Sequence, residues 1–331
     1  MALWLISHDL ALVSSMADRV AVMQAGKIVE LGQSAALFKH PQHPYTRKLL
    51  NALPSLAHAQ AKPTVATEPL LRVEDFRCYY TIRKGLFQRV VGHVKAVDGV
   101  SLVLAKGKTL ALVGESGCGK TTLGKSLLSL IPSNGGRVSL NGVDLHTLTG
   151  EALRRQRSQM QIVFQDPFSA MNPRMLVGDI VGEGIAALQP QICPAERLAL
   201  VRRLLQQVGL PDDAALRYPH EFSGGQRQRI CIARALAVDP KLIICDEPTS
   251  AMDVSVQTQI IELLKTLQRE RQVSYLFITH DLAVVAEIAD EVAVMHQGKI
   301  IEHGAVGHVL YHPQQPYTQK LLAALPRLPE T

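Results

Sequence analysis

A glycine-rich turn separates an apolar segment at 110–113 from the helical pattern that follows it. The turn fits the spacing G-x-x-x-x-G-K-S/T with Gly114, Glu115, Ser116, Gly117, Cys118, Gly119, Lys120 and Thr121, and Thr122 comes next. Glycines let successive backbone N–H groups point inward, and the helix start adds positive potential, so the segment suits a bound phosphate. Lys120 would add a charge toward the β- and γ-phosphates, while the Thr121 hydroxyl would ligate Mg²⁺. The pattern therefore predicts a nucleotide-binding loop.

Two adjacent acidic residues, Asp246 and Glu247, end the apolar segment 241–245. A carboxylate at a strand end can reach a Mg²⁺ ion that bridges the β- and γ-phosphates, so Asp246 is predicted to be a metal ligand. Glu247 is predicted to be the general base that orients and polarises the attacking water. By themselves these residues would be an ordinary polar strand end, but the glycine-rich turn favours the catalytic interpretation.

Three single side chains are further candidates. Gln165 ends a short apolar segment and could contact Mg²⁺ or the attacking water, although it would otherwise be an ordinary surface residue. His280 ends another such segment and could hold the γ-phosphate, although a lone histidine is more often structural. Tyr80 precedes a basic loop at 83–89 and could stack on an adenine, with neighbouring Tyr79 as the alternative.

A second phosphate-binding element precedes a later helix. It consists of Ser223, Gly224, Gly225 and Gln226, in which a glycine pair lets backbone N–H groups at a helix start approach an anion. A single domain with one glycine-rich loop has no use for two such elements. Two domains that meet head to tail do, because each can offer this element to the γ-phosphate that the other holds. The sequence therefore predicts a composite site.

The elements that position these residues alternate between apolar strand-length segments and helical patterns. This alternation predicts an α/β fold with a mainly parallel sheet that is covered on both faces. Ligands of such sheets bind at the carboxyl ends of the strands, where the candidate residues fall. Hydrophobic residues make up 47% of the 331 residues and aromatic residues only 5%, which suits a sheet built from aliphatic side chains.

Charge, cysteine content and hydropathy narrow the class of protein. The net charge is +6, but lysines and arginines are scattered among acidic residues, which favours a solvated surface over a nucleic-acid-binding patch. The five cysteines form no C-x-x-C pair or metal-ligand spacing and are predicted to be reduced thiols of a cytosolic protein. No apolar run approaches the ~20 residues that span a bilayer, so membrane association would require a partner.

An internal repeat relates the two ends of the chain. Residues 6–54 align without a gap to residues 278–326, and more than half of the aligned positions are identical. Such self-similarity indicates two copies of one structural unit. Only the second copy follows a glycine-rich loop, so we interpret 1–54 as the C-terminal remnant of a first nucleotide-binding domain.

The remaining domain boundaries follow from composition. The segment 55–69 lacks apolar periodicity and is rich in Ala, Pro and Thr, which is typical of a flexible linker, and 70–331 then forms a complete domain. In 1–54, His8 has no phosphate loop beside it, so a structural remnant or a mis-started chain is favoured over a second ATP site. Without a parent sheet, this segment is expected to have unpaired strand edges, an uncovered apolar face and weak order.

In order and approximate spacing, the motifs GESGCGKTT, Gln165, FSGGQRQR, LIICDEP, SAMD and His280 resemble those of the ATP-binding subunits of ABC transporters. The resemblance covers essentially all of 70–331. It implies a P-loop NTPase fold of the ABC type, with a mainly parallel sheet, an antiparallel β subdomain and a helical insert at about 168–220.

The resemblance also implies a role for each motif. It makes 114–122 the Walker A loop, Gln165 the Q-loop, 223–226 the signature, Asp246 and Glu247 the Walker B pair, Asp253 the D-loop aspartate and His280 the switch histidine. The expected catalytic residues are then Glu247, His280 and Gln165, and the expected Mg²⁺ ligands are Thr121, Gln165 and Asp246. The Walker A loop, the signature, Tyr80 and Asp253 would bind the nucleotide.

Further segments resemble a narrower group. QDPFSAMNPRMLVGDIVGEGI and a tail at about 300–328, with HPQQPYTQKLLAALP, look like importers of di- and oligopeptides, nickel and glutathione. The insertion IRKGLFQRVVG and the repeat look like fused double-ATPase members of the YejF type. This resemblance implies an ATPase that uses ATP and Mg²⁺ to drive a bacterial importer.

The same resemblance implies partners and a location. The partners would be a second ABC nucleotide-binding domain, in a homodimer or a paralogous subunit, and transmembrane permease subunits. A periplasmic or extracellular solute-binding protein would act indirectly, and no nucleic acid is expected. The protein would lie peripherally on the cytoplasmic face of the bacterial inner membrane.

Two alternatives stay open. A soluble ABC ATPase that acts on nucleic acid or ribosomes would carry coiled-coil arms, zinc-binding inserts or a long basic linker, and none is visible in the sequence. A truncated product could bind ATP without supporting transport. The sequence does not state the transported substrate, because importers select it through other subunits.

Overall fold

The structure, a computed structural model, describes residues 3–7, 10–51, 68–84, 89–250 and 252–324. Its α-helices, in chain order, are α1 (Leu10–Met16), α2 (Ser34–Lys39), α3 (Pro44–Asn51), α4 (Lys120–Leu127), α5 (Gly150–Ser158), α6 (Val177–Leu188), α7 (Pro194–Gln207), α8 (Gly224–Leu236), α9 (Val254–Arg271), α10 (Leu282–Ile288), α11 (Val306–Tyr311) and α12 (Pro316–Ala323). Its strands are β1 (Arg19–Gln24), β2 (Lys27–Gln33), β3 (Pro69–Lys84), β4 (Arg89–Ala105), β5 (Thr109–Val113), β6 (Gly135–Leu140), β7 (Val143–Asp144), β8 (Met160–Val163), β9 (Leu242–Asp246), β10 (Ser274–Ile278), β11 (Glu291–His296) and β12 (Lys299–Ala305). None of the described helices is both long and apolar enough to cross a membrane.

A six-stranded sheet in the order β12-β11-β5-β10-β9-β8 organises the larger part of the described chain. Its strands run parallel except β12, which is antiparallel to its neighbour β11. Strands β5, β9 and β10 are buried along their whole length, because side chains on both faces pack into apolar cores. The predicted mainly parallel sheet is confirmed.

The two faces of this sheet bury alternate residues of each strand. In β10, Tyr275 and Phe277 join the core shared with α6, α7 and α8, whereas Leu276 and Ile278 join the core shared with the antiparallel sheet β4-β3-β6-β7. Helices α6 and α7 form the predicted helical insert. Apolar packing therefore holds the insert against one face of the central sheet and the antiparallel β subdomain against the other.

The two copies of the repeat fold into the same elements. Helices α1, α2 and α3 match α10, α11 and α12, and the hairpin β1–β2 matches β11–β12, including register shifts after Val22 and Val294. Their surroundings differ, since Met23 is 61% exposed whereas its equivalent Met295 is 0% exposed. In the described residues, β1 pairs with β2 alone, whereas β11 also pairs with β5. Within the described residues, the side of the first hairpin that carries Met23 therefore stays exposed.

The bounds of one helix and one loop differ by a few residues from those predicted. The helix expected after the glycine-rich turn starts within it, at Lys120. The basic loop predicted at 83–89 is shorter, because β3 and β4 stay paired out to Lys84 and Arg89.

The predicted first domain and linker are only partly covered by the structure. His8 and nearly all of the predicted linker at 55–69 lie outside the described residues. The strand β3 starts at Pro69, within that predicted linker. The domain boundaries and the weak order of 1–54 stay predictions.

The Glu302 carboxylate fixes the start of helix α12. It accepts backbone hydrogen bonds from Gln314 (2.7 Å) and Gln315 (3.2 Å), directly before that helix. Partial burial raises the pKa of Glu302, but the hydrogen bonds that it accepts lower this pKa by more, so the net value lies below the usual one. In the first copy, Glu30 accepts the equivalent bonds directly before α3.

We expect Glu302→Gln to lower the thermal midpoint of unfolding at pH 7, because a neutral amide replaces a carboxylate that accepts two backbone bonds. The carboxylate has a lower pKa in the folded than in the unfolded state, so its stabilisation is complete above the unfolded pKa, about 4.3. It is lost as the pH falls through the folded pKa. Calorimetry should therefore show the midpoints of wild type and variant converging at acid pH.

Glu183→Gln, a change of an exposed glutamate in α6, is the control and should shift the midpoint little at any pH. A difference between wild type and Glu302→Gln that is as large at pH 3 as at pH 7 would contradict the proposed stabilisation by the Glu302 carboxylate.

Candidate nucleotide-binding site

The glycine-rich loop follows β5 and is packed against two other strands. A Cβ atom on Gly114 would lie 2.2 Å from the Met295 carbonyl oxygen in β11, and one on Gly119 would lie 2.0 Å from the Ala96 carbonyl oxygen in β4. Both glycines also have positive φ angles, 150° and 113°. Since no other residue fits this backbone path, the loop conformation depends on these two glycines.

Lys120 is folded over the loop and is only 5% exposed. Its ammonium group donates hydrogen bonds to the carbonyl oxygens of Gly114 (2.7 Å) and Glu115 (2.9 Å). The backbone N–H groups of Lys120, Thr121 and Thr122 begin α4, where the helix itself supplies no acceptor. The loop therefore gathers a cation and several N–H donors, which phosphate binding requires.

Strand β9 ends beside this loop in the carboxylate of Asp246. Asp246 is 2% exposed and accepts a hydrogen bond of 2.8 Å from the Thr121 hydroxyl. Burial raises the pKa of Asp246, and the Thr121 hydrogen bond and nearby lysine charges offset only part of this rise. A buried carboxylate next to a hydroxyl offers two hard oxygen donors, so the residues fit Mg²⁺.

Glu247 connects two other candidates. Its carboxylate accepts a hydrogen bond of 2.9 Å from Gln165 Nε2, and its second oxygen lies 3.2 Å from His280 Nδ1. The φ angle of Glu247 is 47°, in the left-handed region. A regular strand would direct adjacent side chains to opposite faces, and this turn lets both Asp246 and Glu247 reach the same edge of the sheet.

The structure separates the two tyrosine candidates. Tyr79 donates a hydrogen bond of 2.5 Å to Asp98 Oδ1, and the Lys95 ammonium lies 5.5 Å from the centre of its ring. Tyr80 is 44% exposed, and its hydroxyl lies 3.4 Å from the Thr122 hydroxyl at the end of the loop. The geometry favours Tyr80 as the residue that meets a base, and the stacking itself stays a prediction.

The predicted signature and D-loop residues cap helices. Ser223 and Gln226 cap α8 reciprocally through bonds of 3.0 and 3.4 Å between side chain and backbone. Asp253 caps α9 by accepting a hydrogen bond of 3.0 Å from the Val256 N–H. The hydrogen bonds described for these side chains are local and do not reach the glycine-rich loop. This arrangement is consistent with the predicted composite site, which stays a prediction.

A protein-family model matches the part of the chain that carries most of the candidate residues. The family model described as ABC transporter matches residues 97–250, which include the loop, Gln165 and the acidic pair. The chain carries an ABC transporter ATP-binding domain. A second model, described as the oligopeptide/dipeptide transporter C-terminal region, matches 29–83 and 301–331 of the chain. The resemblance to peptide-type ABC importers that the motifs predict is confirmed.

Curated relatives match nearly the whole chain. It is 46% identical over 327 residues to the peptidoglycan transport ATP-binding protein YejF of Agrobacterium fabrum, covering 98% of the chain and 59% of the relative. It is 47% identical over 347 residues to the glutathione import ATP-binding protein GsiA of Escherichia coli strain K12, covering 97% of the chain and 55% of the relative. The chain thus spans less than two thirds of the length of these relatives.

ABC cassettes of known structure share the fold of this domain. The dimeric ATP-binding cassette MJ0796, in a post-hydrolysis state bound to ADP and Pi, matches with a TM-score of 0.63 at 25% identity, over 72% of this chain and 99% of that one. The protein cbiO1 from Clostridium perfringens, part of the ABC transporter complex cbiONQ, matches with a TM-score of 0.64 at 25% identity, over 79% and 97%. The predicted ABC-type α/β fold is confirmed.

A tyrosine outside the predicted motifs also contacts the glycine-rich loop. The hydroxyl of Tyr317 in α12 accepts a hydrogen bond of 3.1 Å from the Glu115 N–H. Tyr317 lies in the HPQQPYT segment, which recurs in similar form in the first copy of the repeat. The repeat marks this tyrosine as part of a structural unit, but no feature of the sequence indicates that the unit reaches the loop.

We expect Asp246→Asn to raise the thermal midpoint of the chain in buffer without Mg²⁺ or nucleotide, because it removes a buried charge and keeps an acceptor for Thr121. A rise of about 2–4 °C would correspond to roughly 1 kcal/mol in a domain of this size. The same variant should lose any further rise that Mg²⁺ and ATP together give the wild type. Differential scanning fluorimetry measures both effects.

Asp18→Asn, a change of an exposed aspartate in the first copy, serves as the control and should leave both quantities unchanged. If Asp246→Asn is less stable than wild type in the nucleotide-free state, the carboxylate has a structural role that this prediction does not allow.

Proposed function

We propose that the ABC domain binds ATP and Mg²⁺ at the glycine-rich loop and hydrolyses ATP to drive import of peptides or related small solutes. The observation that carries this proposal is the Glu247 carboxylate, held between Gln165 and His280 at the edge of the sheet where the loop and Asp246 lie. A base, its orienting partners, a cation and a metal-ligand pair are the groups that phosphoryl transfer to water needs.

Each residue then has a defined task. Lys120 keeps its contact with the Gly114 carbonyl oxygen and turns its remaining donors to oxygens of the β- and γ-phosphates. The N–H groups at the start of α4 bind the remaining phosphate oxygens. Thr121, Asp246 and Gln165 would hold Mg²⁺, which supplies charge neutralisation on the phosphates. Glu247 accepts a proton from the attacking water, and His280 contacts the γ-phosphate.

The exposed helix start at 223–226 supports a composite site. Its backbone N–H groups begin α8, and the hydrogen bonds described for its side chains do not reach the loop of its own domain. We infer that it closes on nucleotide held by a second ABC domain, either a second copy of this chain or a paralogous subunit. The solved cassette MJ0796, which shares the fold, is a dimer in its post-hydrolysis state.

The curated relatives and the matched C-terminal region support a role of this ATPase in transport. The relatives are named for peptidoglycan transport and glutathione import, and the C-terminal match is to oligopeptide and dipeptide transporters. We therefore propose permease subunits as direct partners and a solute-binding protein as an indirect one. In this arrangement the chain acts peripherally at the cytoplasmic face of the bacterial inner membrane.

Glu247→Gln should abolish turnover and keep ATP binding, because the amide keeps the shape of the side chain but cannot accept the proton of the water. We expect the ATPase rate to fall by about 10²–10⁴-fold, the usual contribution of a general base. A phosphate-release assay and equilibrium binding of a fluorescent ATP analogue give the two quantities.

Glu262→Gln, on the exposed side of α9, is the matched control and should change neither rate nor binding. Turnover by Glu247→Gln at the wild-type rate would remove Glu247 from the mechanism.

Mixing two inactive variants tests the composite site in a homodimer. Lys120→Ala disables the loop and Ser223→Arg disables the signature, so each variant alone carries a defect in both of its sites. A mixed dimer has one site with both defects and one intact site. If the sites act independently, an equal mixture should recover about a quarter of the wild-type ATPase rate.

The outcome distinguishes the possible partners. Recovery on mixing requires that a loop and a signature from different copies of the chain form one site. No recovery, with both variants folded by circular dichroism, would exclude the homodimer and leave a paralogous subunit as the partner.

A further inference from the structure

Tyr317 joins the C-terminal helix α12 to the glycine-rich loop. Its hydroxyl accepts the 3.1 Å hydrogen bond from the Glu115 N–H, and its ring lies against His296, with 4.0 Å between ring centres. Burial raises the pKa of Tyr317 above its usual value. Tyr317 belongs to the matched transporter C-terminal region and lies outside the matched ABC region at 97–250.

The peptide group between Gly114 and Glu115 is held from both sides. Its N–H donates to the Tyr317 hydroxyl, and its carbonyl oxygen accepts a hydrogen bond of 2.7 Å from the Lys120 ammonium. Hydrogen bonds at both ends of one peptide group polarise it and strengthen each other. Rotation of this group would break both bonds. The orientation of this peptide group therefore links Tyr317 to the position of the Lys120 ammonium.

The tyrosine is itself held in place. Glu302 fixes the start of α12, while Leu321 and Leu322 of the same helix pack against the core formed with β11 and α10. The turn between β11 and β12 adds a second contact, because the Gly298 N–H donates a hydrogen bond of 3.0 Å to the Cys118 carbonyl oxygen. The C-terminal part of the chain thus contacts the loop at two points.

We propose that Tyr317 is a positioning residue that holds the Gly114–Glu115 peptide, and with it the Lys120 ammonium, in the orientation that accepts nucleotide. This inference rests on the proposed binding of ATP by the loop. Without the Tyr317 hydrogen bond, the loop populates other peptide orientations, and the apparent affinity for ATP falls in proportion to the competent fraction. Once ATP is bound, the phosphate contacts hold the loop, so the rate at saturating ATP changes little.

Tyr317→Phe tests this role because it removes the hydroxyl and keeps the ring against His296. In the full chain we expect the KM for ATP to rise about three- to fivefold, the effect of one neutral hydrogen bond, with kcat changed by less than about twofold. A purely structural role would instead lower kcat through the folded fraction and leave KM unchanged. Tyr45→Phe, at the equivalent position of the first copy, is the matched control and should change neither.

A second measurement does not depend on ATP. In the nucleotide-free chain, hydrogen exchange at the Glu115 amide should be faster in Tyr317→Phe than in wild type and unchanged in Tyr45→Phe. Unchanged exchange at Glu115, or faster exchange with an unchanged KM, would overturn the proposed role of Tyr317. A wild-type chain that neither binds nor hydrolyses ATP would overturn the proposed function, and the coupling to ATP affinity with it.

Discussion

The backbone of the glycine-rich loop is packed directly against two neighbouring strands, and the geometry of the candidate site depends on this packing. At Gly114 and Gly119 a Cβ atom would lie 2.2 and 2.0 Å from carbonyl oxygens of β11 and β4. A closely packed backbone transmits displacement, because neighbouring atoms have nowhere to move. The loop conformation is therefore defined jointly by β5, by the antiparallel sheet through β4 and by the C-terminal part of the chain through β11. A change in any of these three segments therefore reaches the loop.

Lys120 and Asp246 lie at the edge of the sheet where the parallel strands end. Their charges suit a ligand better than they suit the stability of the nucleotide-free chain. The Lys120 ammonium is nearly buried against neutral carbonyl groups, and the Asp246 carboxylate is nearly buried against a hydroxyl. Buried charges whose hydrogen-bond partners are neutral cost free energy, and a phosphate with its metal ion would supply the opposite charges that these partners lack. The left-handed backbone at Glu247 adds strain at the same place.

Motif spacing predicted the residues at this edge because parallel strands leave few alternatives. Once β8, β9 and β10 lie side by side, their carboxyl ends bring Gln165, Asp246 and His280 to one edge. The choice between Tyr79 and Tyr80 was not predictable in this way. Adjacent residues of β3 face opposite sides, so a slip of one residue in the pairing of β3 would exchange the two tyrosines. Contacts that depend on register or side-chain torsion, such as the hydrogen bond between Gln165 and Glu247, need the structure.

The two copies of the repeat show which structural features the local sequence determines and which depend on the surroundings. Both copies form the same hairpin and the same helices after it, because the turn residues and the carboxylates of Glu30 and Glu302 act within the repeated segment itself. Whether the hairpin is buried is not determined by its own sequence, because burial depends on which strand and loop lie opposite it. Tyr45 packs into the small core of the first copy, whereas Tyr317 at the same helix position contacts the glycine-rich loop. The motif builds the helix, and the surface that the helix contacts decides whether its tyrosine can reach the glycine-rich loop.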